Sequence, residues 1–277
     1  MKRARYWARA QAEFPGPNAE LLRISARGWS DENLDAARLK GLEIARRVAE
    51  RIAGGFEKQG RYPYGERPLP EPVIQEFSGA IVTRNAYGAL VLNTDQMMFV
   101  DIDRKTSPSK FGSIFSSLFG KSKSAPAQDP VIDELDQITR SHNLGARLYE
   151  TAAGNRLILT SEPFKAGSAA AEALLVEYKS DPLYVRLCRM QESFRARLTP
   201  KPWRCGCIEP YPEYPFETPP DQELADEWEA KYNSKSAAFS TCRFISTLGS
   251  ESLYTDFKEL IEYHDKETKA LGAEPLA

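Results

Sequence analysis

The sequence predicts an α+β fold with a split βαβ core of the ferredoxin-like or RRM-like kind. Short apolar runs rich in β-branched residues indicate buried strands, whereas other segments carry apolar residues at helical spacing. From Met97 onward these segments follow the order strand, helix, strand, strand, helix, then a further helix and a strand. That order is the split βαβ plan, here preceded by an N-terminal helix and a hairpin and followed by additional C-terminal helices.

The composition is that of a globular protein. The chain has 277 residues, 42% of them hydrophobic and 27% charged, and is long enough to bury a substantial core. No apolar run approaches the roughly 20 residues that a membrane-spanning helix needs. The basic start of the chain leads into no apolar signal-peptide core. We therefore expect a cytoplasmic protein with no membrane partner.

The chain is predicted to have three parts: an N-terminal helical and proline-rich segment over 1–72, an α+β core over 73–250 and a C-terminal helix over 251–277. Ser30, followed by two acidic residues, is typical of a helix cap and predicts a first helix over 31–53. The apolar face of that helix is predicted to hold Leu34, Leu39, Leu42, Ala45, Val48 and Ile52.

The core is predicted to begin with a hairpin at 80–83 and 89–93 and a third strand at 97–103. The third strand is an apolar run, which is typical of a strand covered on both faces. The segment 104–128 is rich in Lys, Ser and Gly but contains an apolar cluster. We predict that it is a mobile insertion through which a protein partner could dock.

The remaining elements follow from the same periodicities. Helices are predicted over 129–141, 168–178, 221–233 and 252–270, and a further helix is predicted to begin near Asp181. Strands are predicted over 146–151, 156–160, 194–199 and 239–245. The strand at 194–199 alternates apolar and basic residues, so its basic side chains should share one face.

Two carboxylates end the third core strand and are the first candidate site. Asp101 and Asp103 are two residues apart on a strand, so they point to the same face. Two carboxylates at this spacing can hold Mg²⁺ or Mn²⁺, hard ions that bind through one or two carboxylates together with substrate phosphates. The alternative interpretation is a pair of solvated acids that form ion pairs with Arg or Lys.

A basic, aromatic segment supplies further candidate residues. Residues 184–204 carry six Lys or Arg against one acidic residue. If the strand at 194–199 pairs beside the acid-bearing strand, its cationic face would suit a triphosphate or a nucleic-acid backbone. The candidate phosphate-binding residues in this segment are Arg195, Arg197, Lys201 and Arg204. Alternatively, Phe194 and Trp203 are core residues and the arginines pair with the acidic C-terminal third.

The four cysteines predict neither a disulfide framework nor a zinc site. Cys205 and Cys207 are separated by one residue, whereas zinc knuckles have two to four residues between cysteines. Neither His142 nor His264 lies near them in sequence. We interpret the cysteines as reduced, partly buried thiols.

Two segments resemble the archaeo-eukaryotic primase (primase-polymerase) superfamily. Met98-Phe-Val-Asp-Ile-Asp is similar to its first acidic motif, and the hairpin from Tyr149 to Leu159 is similar to the hairpin that carries its second motif. The resemblance covers about 97–200. It implies an RRM-like core that handles nucleotides or DNA, with Asp101 and Asp103 as catalytic metal ligands. It also implies that Arg156 contacts the nucleotide, at the position where the superfamily has histidine.

The third motif of that superfamily, a hydrophobic residue followed by a catalytic Asp, has no counterpart in the strands predicted at 194–199 and 239–245. The preferred interpretation is therefore a metal-dependent protein that handles nucleotides or nucleic acid and has reduced catalytic activity, and two alternatives stay open. One is a non-catalytic interaction module that retains the fold, and the other is a Mg²⁺-dependent phosphatase or nuclease. Nucleotide cyclases and haloacid-dehalogenase phosphatases share part of the acidic signal, but other motifs that these families require are missing.

Overall fold

The structure, a computed structural model, describes residues 1–15, 20–53, 68–104 and 130–277. These residues form a mixed α+β fold of three antiparallel sheets and six α-helices, which confirms the predicted fold class. The strands are β1 (Tyr6–Pro15), β2 (Leu21–Ser30), β3 (Val73–Phe77), β4 (Ala80–Arg84), β5 (Leu90–Thr94), β6 (Phe99–Asp103), β7 (Gly145–Thr151), β8 (Gly154–Leu159), β9 (Phe194–Arg197) and β10 (Cys242–Gly249). The helices are α1 (Leu34–Ala53), α2 (Pro130–Ser141), α3 (Ala169–Glu177), α4 (Pro182–Gln191), α5 (Pro219–Ser236) and α6 (Lys258–Thr268).

The N-terminal part contains a hairpin that the sequence did not predict. Strands β1 and β2 pair over ten residues each, and α1 packs on the pair. Helix α1 buries the small residues Ala37, Gly41, Ala45 and Ala49, whereas Leu39 is 67% exposed. A side chain at Gly28 on β2 would begin only 2.0 Å from the carbonyl oxygen of Ala37. Helix and hairpin lie so close that small residues, rather than the predicted leucines, form the buried face.

The sheet that carries the two acids, called the acidic sheet below, has the order β10-β7-β8-β6. Its first three strands in the chain follow the predicted plan, since β6 pairs with β8 and β8 with β7. The fourth strand differs. It pairs with β7 at the far edge of the sheet, whereas the split βαβ plan puts it beside the first strand.

The outer edge of β6 is occupied by the turn before α4 and by α4 itself. The backbone N–H of Asp181 donates to the carbonyl oxygen of Asp101 (2.9 Å), and the Ser180 hydroxyl donates to the same oxygen (3.0 Å). The Tyr184 hydroxyl donates to the carbonyl oxygen of Phe99 (3.0 Å). These contacts take the hydrogen-bonding positions that a fourth strand would need beside β6.

The second four-stranded sheet, called the basic sheet below, has the order β3-β4-β5-β9. Strand β9 therefore pairs with β5 rather than with the acid-bearing strand. Apolar residues from both sheets share one buried core, which includes Val82 and Leu92 from the basic sheet and Phe99 and Leu148 from the acidic sheet. Packing of the two sheets against this core brings β9 close to β6 and β8 without backbone pairing.

Two further predictions concern the insertion after β6 and the absence of membrane-spanning helices. The insertion predicted over 104–128 lies outside the described residues except for Arg104. Among the helices of the described residues, none is long and apolar enough to cross a membrane.

Candidate functional site

A cavity of about 410 Å³ is lined by side chains from both four-stranded sheets. The structure brings all of the site residues predicted from the sequence to this one cavity. These residues are Asp101, Asp103, Arg156, Arg195, Arg197, Lys201 and Arg204. The acids belong to β6 and Arg156 to β8, whereas the other cations lie on β9 and in the loop after it. Residues that are far apart in the chain therefore meet across the two sheets.

The two carboxylates lie at the end of β6, where Asp101 is paired with Arg156 and Asp103 with Gly154 on β8. Burial, the charge of Asp101 and the charge of Asp181 raise the pKa of Asp103, and Lys201 and Arg204 oppose this shift. The ionised carboxylates therefore repel each other within the cavity. A cation between them would relieve that repulsion.

The donor set fits a divalent ion that is bound together with a ligand. No group of three or more His, Cys, Asp or Glu able to hold a metal ion occurs in the ranges that the structure describes. The nearby Asp181 carboxylate caps α4 by accepting a hydrogen bond from the backbone N–H of Tyr184 (2.8 Å). Asp101 and Asp103 alone would hold Mg²⁺ or Mn²⁺ only with water and ligand oxygens completing the coordination. They do not fit a closed, all-protein structural metal site.

Arg156 is 5% exposed and is held from behind by a chain of buried polar groups. Its Nη1 donates to the carbonyl oxygen of Arg197 (2.9 Å) and lies 3.4 Å from His264 Nε2. His264 Nδ1 is 3.0 Å from Asp265 Oδ1, and that carboxylate also accepts from the Tyr149 hydroxyl (2.7 Å). Burial lowers the pKa of His264, but its contacts with Asp265 and Cys242 outweigh burial and raise that pKa. This chain fixes where the guanidinium meets the cavity.

Four cations of the cavity form no salt bridge with any other described residue: Arg156, Arg197, Lys201 and Arg204. The Nε atom of Arg197 is buried and has no hydrogen-bond partner among the described residues. Burial and the charges of Arg156 and Arg204 lower the pKa of Arg197. Burial and the charges of Arg197 and Arg204 likewise lower the pKa of Lys201. We call these four residues the cationic wall; its mutual repulsion favours an anion in the cavity.

Arg195 differs from the other predicted cations because its charge is balanced. Its Nη2 donates to both carboxylate oxygens of Glu71, each at 2.8 Å, and the two side chains are 17% and 8% exposed. Glu71 also accepts from the Thr83 hydroxyl at 2.6 Å. Arg195 therefore contributes to the cavity wall as part of an internal ion pair rather than as an uncompensated charge.

Glu71 and Tyr87 are among the cavity residues that sequence reasoning missed. Glu71 belongs to a proline-rich stretch and Tyr87 to a short turn, so no periodicity marked either residue. Burial raises the pKa of Cys188 to about 12, which disfavours its thiolate. Burial also opposes ionisation of Cys242, but its contact with His264 outweighs burial and lowers the pKa of that thiol, which does not line the cavity. All four cysteines are free thiols and all are buried, whereas partial burial was predicted.

Comparisons with protein-family models, with curated proteins and with solved structures found no match for this chain. The resemblance to the primase-polymerase superfamily therefore stays a prediction from two short segments. The chemistry of the cavity has to be argued from its own side chains.

Proposed function

We propose that this protein binds a phosphorylated ligand, a nucleotide or a nucleic-acid end, together with Mg²⁺ or Mn²⁺ in the cavity between the acidic and basic sheets. The observation that carries the proposal is the cationic wall, whose four cations form no salt bridge in the described residues although two acids line the same cavity. Separate sets of cations and carboxylates are what a metal–phosphate complex requires.

The side chains have distinct roles in this proposal. Asp101 and Asp103 hold the metal ion, and the ion also binds phosphate oxygens. Arg156 and Arg197 donate to the phosphate from the buried end of the cavity, where low polarity strengthens the interaction. Lys201, with its lowered pKa, supplies a more exposed charge. The metal, when bound, neutralises phosphate charge and polarises the phosphorus–oxygen bonds.

Binding is a better supported function than polymerisation. Two-metal phosphoryl transfer uses a larger set of ligands that clamp both the attacking and the leaving oxygen. Asp101 and Asp103 supply only two carboxylates, and the remaining acid of the cavity, Glu71, is committed to Arg195. We therefore place nucleotidyl transfer second, as an activity that would need a further ligand from the substrate or from outside the described residues.

The test is a thermal-shift titration with Mn²⁺, with triphosphate ligands and with both together. We expect the ligand to raise the melting temperature more in the presence of Mn²⁺ than in its absence. The variant Asp101→Asn/Asp103→Asn should lose this metal-dependent increment.

Asp133→Asn, at an exposed position on α2, is the matched control and should behave like the unmodified protein. A melting temperature that no phosphorylated ligand changes would refute the proposal. A metal-dependent shift that survives in the Asp101→Asn/Asp103→Asn variant would refute the role of the two acids.

A further inference from the structure

Two aromatic side chains outside the buried core lie beside the cavity: Tyr87 lines it, and Trp203 contacts Tyr87. Trp203 is 54% exposed and Tyr87 is 38% exposed. Their rings meet edge to face with centroids 5.3 Å apart. We call this pair the aromatic rim. An exposed pair of this size has a large apolar surface that nothing in the described residues covers.

Both members of the aromatic rim are carried on well-ordered turns. Tyr87 lies in a tight turn in which the Asn85 side chain accepts from the backbone N–H groups of Tyr87 (3.2 Å) and Ala89 (3.1 Å). Trp203 lies in a short 3-10 helix, Pro202–Arg204, whose first residue is buried. The carbonyl oxygen of Pro202 accepts from the backbone N–H of Cys207 (2.9 Å). The backbone that carries both rings is therefore fixed by local hydrogen bonds, which lowers the entropy cost of stacking on them.

The aromatic rim adjoins the cationic wall directly. Tyr87 lines the same cavity as the wall, and Trp203 lies in the chain between Lys201 and Arg204. Lys201 Nζ lies 5.6 Å from the centre of the Trp203 ring, so one cation contacts both the cavity and the rim. A ligand with phosphates at the buried end can therefore place a ring system at the exposed end.

We infer that the aromatic rim stacks on a nucleobase, so that the preferred ligand is a nucleotide rather than an inorganic polyphosphate. This inference rests on the proposed phosphate and metal site and adds to it the recognition of the base. Stacking on an aromatic side chain is tolerant of base identity because each base has a π-face. The site is thus expected to select for the presence of a base more than for one particular base.

The test compares ATP with inorganic triphosphate, each in the presence of Mn²⁺, by isothermal titration calorimetry. We expect ATP to bind more tightly than triphosphate. Trp203→Ala should lower the affinity for ATP by roughly tenfold or more, because one stacking contact is lost. The affinity of this variant for triphosphate should stay within about twofold of that of the unmodified protein. Trp203→Phe should restore most of the ATP affinity.

Ile208→Ala is the matched control, since Ile208 is 83% exposed and lies shortly after the same turn. Triphosphate binding as tight as ATP, or an equal loss for both ligands in Trp203→Ala, would overturn the inference and leave the proposed function standing. Absence of binding by either ligand to the unmodified protein would overturn both. Unchanged far-ultraviolet circular dichroism and an unchanged urea denaturation midpoint of the variants would establish that they fold.

Discussion

Arg197 combines burial, charge and lack of a partner in one side chain. It lies on β9 between a backbone contact with Arg156 and the cavity, and its Nε atom has no partner in the described residues. A buried charge of this kind costs stability, and proteins retain such a cost where function uses it. Loss of the Arg197 charge is therefore expected to raise the stability of the fold and to lower the affinity for the ligand.

Arg197→Met removes the charge while keeping a side chain of similar length. We expect the free energy of unfolding without ligand to rise by about 1 kcal/mol, because repulsion from Arg156 and Arg204 disappears. We expect affinity for Mn²⁺–triphosphate to fall by at least about tenfold. Urea denaturation and calorimetry measure the two quantities. A variant that is less stable and binds normally would contradict this role for Arg197.

Asp103→Asn tests the repulsion between the acids through its pH dependence. The pKa of Asp103 is raised above 3.8 in the folded protein, so ionisation is harder in the folded than in the unfolded state. The contribution of protonated Asp103 to the free energy of unfolding is fully present below pH 3.8, and it is lost as the pH rises through the raised pKa. The free energy of unfolding of Asp103→Asn minus that of the unmodified protein should therefore be larger at pH 7 than at pH 3.5. Urea denaturation at both pH values checks this, and an identical difference at the two would contradict it.

Glu71→Gln tests the internal ion pair of the cavity wall. It leaves the mostly buried Arg195 without a counter-charge, and we expect a loss of about 3 kcal/mol in the free energy of unfolding. Because Arg195 is then the unpaired group, Glu71→Gln/Arg195→Met should recover part of the loss. Urea denaturation of the single and double variants measures the coupling. Additive effects would show that the two side chains do not interact in solution.

Among the elements, strands with long apolar runs were predicted well and those built from small or charged residues were not. β6 was recognised from its continuous apolar run. In β1, alanine and arginine alternate too weakly to indicate a strand, although Trp7 and Ala8 are buried. For α1, the leucine series indicated the wrong buried face. The close approach of the helix to Gly28 depends on a tertiary contact that periodicity does not record.

The hairpin of β7 and β8 depends on one glycine. A side chain at Gly154 would begin 1.9 Å from the carbonyl oxygen of Ile102 on β6, where only backbone could yield. Gly154→Ala should therefore cost roughly 3 kcal/mol of unfolding free energy. It should also weaken metal binding, because Asp103 is the strand partner of Gly154. Ala152→Ser, at an exposed position in the same hairpin turn, is the control. Equal denaturation midpoints of the two variants would contradict the expected clash.

Over the whole molecule, seven charged residues of the candidate cavity could be named from the sequence, but their arrangement could not. Asp101 and Asp103 were identified from local spacing on one strand. Their proximity to Lys201 and Arg204 arises because β6 packs close to β9 and the loop after it, which lie about a hundred residues later in the chain. Sequence patterns describe one element at a time. They therefore did not reveal that Glu71 balances Arg195, or that Tyr87 reaches the same cavity.

A ligand in this cavity would connect the two sheets. Hydrogen exchange should show this, since a ligand that binds only the folded state slows opening of the elements it joins. With Mn²⁺ and ATP, we expect added protection in both β6 and β9. The β1–β2 hairpin contributes no residue to the cavity and should exchange at the same rate with or without ligand. Protection of one sheet alone would contradict a ligand bound between the two.

The contacts that occupy the outer edge of β6 also bear on self-association. Open strand edges recruit strands from other copies, which leads to domain swapping and edge-to-edge aggregation. In the acidic sheet, Ser180 and Asp181 donate to the carbonyl oxygen of Asp101 on the outer edge of β6. At the opposite edge, the backbone N–H of Phe244 on β10 donates to the carbonyl oxygen of Ala270 (2.8 Å). Both edges of this sheet are therefore partly occupied, which reduces the template for strand addition. A long polymeric ligand would have to reach the acids across the open cavity rather than by extending the sheet.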